Sequence, residues 1–106
     1  MEEYVHINGS LVPLPEARIS AFDHGFLYGY GLFETMRAYN GTIFLLDRHR
    51  GRLHHGARAS GLEEKLAGID LAAACREIVQ TNNNPEARVR VTVTGGDAPG
   101  FPWDSP

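Results

Sequence analysis

At 106 residues the chain can bury one core but not two, and its 42% apolar content is that of a folded domain. A formal net charge of −3 with no basic stripe sets nucleic acid aside as the default partner. No stretch approaches a membrane-spanning run, no apolar leader follows the acidic start, and a single cysteine, Cys75, permits no internal disulfide, so a cytoplasmic protein is expected.

In chain order, two short strands at 4–7 and 11–14 flank Asn8-Gly9, a dipeptide suited to the left-handed conformations of a type I′ hairpin turn. Pro13 and Pro15 end the second strand and mark it as an edge. A short extended piece over 18–22 leads into a loop at 23–31 with glycines at 25, 29 and 31. The strand at 32–39 alternates. Leu32, Glu34, Met36 and Ala38 face one way, and Phe33, Thr35, Arg37 and Tyr39 the other. Asn40-Gly41 is a second hairpin signal, with a returning strand at 42–45.

Asp47 is the expected N-cap of a helix running to about Ser60, stopped by Gly61. His49, Leu53, Gly56, Ala57 and Ser60 share one face of it, with Arg52 at the border. Gly51 and Gly56 each cost about 1 kcal/mol relative to alanine, so this helix depends on packing. Asp70 caps a second helix to about Thr81, with an apolar stripe of Leu71, Ala74, Cys75, Ile78 and Val79. The strand at 88–94 turns Val89, Val91 and Val93 inward and Arg88, Arg90, Thr92 and Thr94 outward. Beyond it the composition is that of a linker. The expected fold is α+β: an antiparallel sheet with two helices packed on one side, a domain over 1–95 and a linker or tail over 96–106.

The glycines at 25, 29 and 31 match neither a dinucleotide fingerprint nor a phosphate loop. Arginines are the better candidates for binding, because a guanidinium grips phosphate or carboxylate bidentately at about 1.5–3 kcal/mol per charge-assisted hydrogen bond. If the strands at 32–39 and 88–94 are neighbours, Arg37, Arg90, Phe33 and Thr35 could line one shallow cavity; otherwise these arginines merely solvate a sheet face. The histidines show no metal-ligand spacing, so no metal is expected, and His49 reads as a hydrogen-bonded core residue. Cys75 reads as inert core. Glu34 is a carboxylate among apolar neighbours and needs a partner from a loop or helix.

The run FDHGFLYGYGLFETMRAYNG followed by LDRHRGRL resembles the amino-terminal half of the class IV aminotransferases, over about residues 3–97. These are fold-type IV pyridoxal-phosphate enzymes: branched-chain aminotransferases, D-amino-acid aminotransferases and aminodeoxychorismate lyases. The resemblance implies that Arg52, in the motif His-x-x-Arg-Leu, binds the cofactor phosphate. It implies that Phe33 lines the substrate side and that Arg90 contacts the substrate carboxylate; the strand alternation agrees, since it puts Thr35 and Arg37 on the same face as Phe33. It also implies a homodimer whose active site lies between two domains, with a small amino acid or 2-oxo acid as substrate; the charge and the lack of a membrane-spanning run leave neither nucleic acid nor membrane as an expected partner.

The departures are also informative. Tyr30 stands where the family often has aspartate, and 95–102 carry neither arginine nor histidine, which disfavours the D-amino-acid subtype. The family's Schiff-base lysine belongs to a second domain. Lys65, the only lysine, is at a position the family does not use, so no catalytic residue is assigned, and pyridoxal phosphate is expected in the complete enzyme but not on this chain alone. The leading expectation is an aminotransferase domain acting with an amino acid, branched-chain among the possibilities, and a 2-oxo acid. The alternatives are the pyruvate-releasing lyase and a non-catalytic dimerisation or binding module.

Overall fold

The computed structural model describes residues 3–97. Strands β1 (Tyr4–Ile7) and β2 (Ser10–Pro13) form a two-stranded antiparallel hairpin. Asn8 and Gly9 at its tip both have positive φ, 51° and 92°, as a type I′ turn requires. A 3-10 turn, Leu14–Glu16, follows, and residues 18–22 form no strand. The second sheet has the order β4-β3-β5. Here β3 (Gly31–Tyr39) pairs antiparallel with both β4 (Thr42–Ile43) and β5 (Arg88–Thr94).

Two helices cover one face of this sheet: α2 (Leu46–Ala59) and α3 (Leu71–Thr81). Met36, Ala38 and Val89 pack there with Leu46, Cys75 and Val79. Next to them Leu53, Ala57, Leu62 and Leu66 close around Val93. Leu53 and Leu62 are each only 2% exposed, and full burial of such a side chain stabilises by about 1.5–3 kcal/mol. The alternation expected of the strand at 32–39 holds: Glu34, Met36 and Ala38 are buried, and Phe33, Thr35, Arg37 and Tyr39 are exposed. The hairpin docks at the far end of α3, where the Tyr4 amide donates to Asn82 Oδ1 at 2.7 Å and Asn82 Nδ2 donates to the Tyr4 carbonyl at 2.9 Å.

Three local expectations need correction. The stretch expected as loop contains a one-turn helix, α1 (His24–Tyr28), because Asp23 Oδ2 accepts from the amides of Gly25 and Phe26 and Gly29 closes the turn at φ 69°. The returning strand stops at Ile43 rather than at 45, since Leu45 turns left-handed at φ 56°. That residue therefore precedes α2 in the capping position, and Asp47 lies inside the first turn, paired with Arg50 at 3.2 Å rather than capping. The Asp70 cap is as expected, its Oδ1 accepting from the Ala73 amide at 3.0 Å.

Candidate active site

The site is built on the two faces of β3. On the inner face, position 34 places a carboxylate against α2, where a buried charge needs partners. The helix supplies two, one turn apart. Arg52 Nε donates to Glu34 Oε2 at 2.8 Å and Arg52 Nη2 donates to Oε1 at 2.8 Å, a side-on bidentate pair. His49 Nδ1 adds a hydrogen bond to the same Oε1 at 2.7 Å. The Arg52 hydrogen bonds hold the Glu34 carboxyl below the ordinary glutamate range; burial opposes them and His49 assists. The expected partner for Glu34 is thus found on a helix, and His49 is the hydrogen-bonded residue it reads as. Behind this cluster lies a small void between β3, α2 and α3, walled by Leu53, Leu71 and Cys75 and too small for an organic ligand. Burial pushes the Cys75 thiol up, which suits inert core.

Arg52 presents a different aspect outward. Its side chain is 71% exposed, and Nη1 and the second Nη2 hydrogen have no hydrogen-bond acceptor among the described residues. The donors left open match one face of a phosphate.

On the outer face, β3 and β5 are direct neighbours, so the condition set by the sequence is met. Thr35 stands opposite Arg90, Phe33 opposite Thr92 and Arg37 opposite Arg88. The Arg90 guanidinium lies over the Phe33 ring, 4.0 Å from its centre, while Arg37 lies 5.9 Å from that of Tyr39. Among the described residues Arg37, Arg88 and Arg90 form no ion pair with a carboxylate. Phe33, Thr35 and Arg90 therefore come together, with Arg37 one register step along. Arg52 does not join them: its anchor Glu34 points through the opposite face of the strand.

A strut at the end of β3 joins the loop to both faces, and the sequence did not disclose it. Asp23 is only 7% exposed, and its Oδ1 accepts from the Thr94 hydroxyl at 2.7 Å, tying α1 to β5. A Cβ on Gly25 would collide with the Thr94 methyl, so glycine is required there by close approach. The Tyr30 hydroxyl donates to the Ser60 carbonyl at 2.6 Å, binding the loop to the end of α2. The available signal was local: an aspartate two residues before a glycine-punctuated turn is an N-cap pattern. Lys65 sits in a 3-10 turn, Glu63–Leu66, and is exposed. Gly96, at the start of the expected linker, still accepts from the His24 amide at 2.8 Å; residues 98–106 lie outside the described residues.

Among known proteins the chain is 37% identical over 92 residues to a Methanocaldococcus jannaschii protein named for branched-chain-amino-acid aminotransferase activity, covering 87% of this chain and 32% of that one. It is 35% identical over 94 residues to the aminodeoxychorismate lyase of Bacillus subtilis, covering 87% and 32%. D-alanine aminotransferases are also among its relatives. Among solved structures, the branched-chain amino acid aminotransferase of Escherichia coli superposes at a TM-score of 0.80 with 26% identity, over 96% of this chain and 36% of that one. A second branched-chain amino acid aminotransferase, from T.th. and solved with pyridoxamine 5'-phosphate, superposes at 0.78 with 26% identity, over 95% and 34%. The chain thus spans about a third of the length of these relatives and corresponds to their amino-terminal part. The pattern of the family described as amino-transferase class IV matches residues 31–103. That range contains both faces of β3 and the Glu34–Arg52 pair, and the chain belongs to the class IV amino-transferase family.

Proposed function

We propose that residues 1–95 form the amino-terminal domain of a pyridoxal-phosphate-dependent aminotransferase that moves an amino group between an amino acid, branched-chain in the first instance, and a 2-oxo acid. The observation that carries this reading is the divided chemistry of β3: an arginine with an open donor edge on one side, and an arginine stacked on an aromatic wall on the other. The residues present fit the cofactor's phosphate, because Arg52 keeps donors unspent after pairing with Glu34. When bound, pyridoxal phosphate supplies the electrophilic carbonyl and electron-withdrawing ring that amino transfer needs.

In this reading Arg52 holds the phosphate, and Phe33 walls the substrate side and keeps water from it. Arg90 and Arg37 orient the substrate carboxylate, and Thr35 offers a hydroxyl between them. The M. jannaschii relative and the structure solved with pyridoxamine 5'-phosphate support this branch of the family. This chain contributes no catalytic residue, and we propose that it does not retain the cofactor by itself. Residues 96–106 serve as a linker. The exposed apolar side chains Ile19, Phe22, Phe26 and Leu27 support assembly as a homodimer. No helix among the described residues is long and apolar enough to cross a membrane, and a lone buried thiol suits the cytoplasm.

A second reading, aminodeoxychorismate lyase, is supported by the B. subtilis relative. A coupled assay on the protein expressed from its complete reading frame separates them. Amino transfer to 2-oxoglutarate is the expected result. Pyruvate release from aminodeoxychorismate without amino transfer would move the assignment to the lyase. Loss of both activities, with a stable dimer in sedimentation, would leave a binding module.

A further inference from the structure

A guanidinium on a long, exposed stem samples many rotamers, and each phosphate contact it makes must first overcome that freedom. Arg52 is not left in that condition. The two hydrogen bonds to Glu34, both 2.8 Å, fix the guanidinium plane and occupy its inner edge. Glu34 is itself constrained: its side chain is 8% exposed, and its backbone pairs opposite Val91 in the β3–β5 register. His49, one turn before Arg52 on the same helix, holds Oε1 from a third direction at 2.7 Å.

Resting on the assignment of Arg52 to the phosphate, we propose that Glu34, backed by His49, is a positioning residue that sets the Arg52 guanidinium with its outer edge toward the phosphate. Two effects compete in such an arrangement. Preorganisation strengthens phosphate binding, because less freedom is lost on contact. The carboxylate's negative charge weakens it by offsetting the arginine's positive one. The geometry favours the first: the carboxylate lies against the inner edge, and the outer donors remain unspent. The two effects predict opposite signs for one substitution, and that makes the proposal testable.

The test is a titration of the 15N-labelled 106-residue protein with inorganic phosphate at neutral pH, read at the Arg52 Nε resonance. In the wild type this signal is expected to be resolved from those of freely rotating arginines and to shift with phosphate in the millimolar range. Glu34→Gln is expected to move it to the freely rotating position and weaken phosphate binding roughly tenfold, with the amide spectrum still that of a folded chain. Unchanged or tighter phosphate binding in Glu34→Gln overturns the proposal while leaving Arg52 as the phosphate ligand. A wild type whose Arg52 signal ignores phosphate overturns the assignment of Arg52 itself. If Glu34→Gln does not fold, His49→Phe removes the third hydrogen bond at similar volume; a loss of about threefold is expected, and unaltered phosphate binding there overturns the proposal.

Discussion

The two faces of β3 spend their charges differently. On the inner face the charge is paired within the fold: the Glu34 carboxylate accepts three hydrogen bonds from two residues of α2, and among the described residues the outward edge of Arg52 has no acceptor. On the outer face three arginines, Arg37, Arg88 and Arg90, lie among Phe33, Thr35 and Tyr39 with no carboxylate among the described residues to balance them. Arg37 and Arg88 are directly opposite in register, an arrangement that costs rather than gains stability. A charged pair satisfied within the fold belongs to its architecture. Like charges held together without a counterion are better suited to a ligand that brings the opposite charge.

Substitutions can separate these roles. The largest expected effect lies in the core that carries the inner face. Leu53 is 2% exposed one residue after Arg52, and Leu53→Ala should cost about 2–5 kcal/mol in chemical denaturation. A loss below about 1 kcal/mol would mean that α2 is not anchored there.

The next largest concerns Glu34. Its carboxyl is held below the ordinary value of 4.5 by the Arg52 hydrogen bonds, so the folded state binds the proton more weakly than the unfolded one. The resulting stability is fully present above 4.5 and is lost as pH falls through the lowered folded value. Acid unfolding of Glu34→Gln should lack this component, and the difference in stability between it and the wild type should shrink as the solution is acidified below 4.5. A difference that stays constant across that window would show that the Glu34 charge does not support the fold.

The smallest stability effect belongs to the outer face. Phe33 is 55% exposed, and its stacking with Arg90 contributes about 0.5–1 kcal/mol. Phe33→Ala and Arg90→Gln should therefore leave the thermal midpoint nearly unchanged while reducing binding of a 2-oxo acid. Large destabilisation by either would return this face to a purely structural role.

Much of this was legible in the residues because the strands obey short periods. The alternation through Glu34, Met36 and Ala38, the valines at 89, 91 and 93, the two Asn-Gly turns and the Asp70 cap all rest on local rules that tertiary structure did not override. The need of Glu34 for a partner was also visible, since a carboxylate at an apolar position implies one. What escaped was set by contacts remote in sequence or by backbone strain. The Asp23–Thr94 hydrogen bond spans 71 residues, so no window around 23 reveals it. Leu45 at φ 56° is unfavourable for a branched side chain, and no propensity rule ends a strand at such a residue. Nor did the spacing show that Arg52 lies through the sheet from Phe33 and Arg90, because that depends on which face α2 covers.

On the proposed function the two faces recognise different anions, phosphate at Arg52 and carboxylate at Arg37 and Arg90. Chemical-shift mapping of the labelled 106-residue protein tests it most directly, with inorganic phosphate in one titration and 4-methyl-2-oxopentanoate in the other. The expected result is that phosphate perturbs α2 around Arg52 and Glu34, while the 2-oxo acid perturbs Phe33, Thr35 and Arg90. Both anions collecting on the Arg37, Arg88 and Arg90 face, with α2 unmoved, would contradict it.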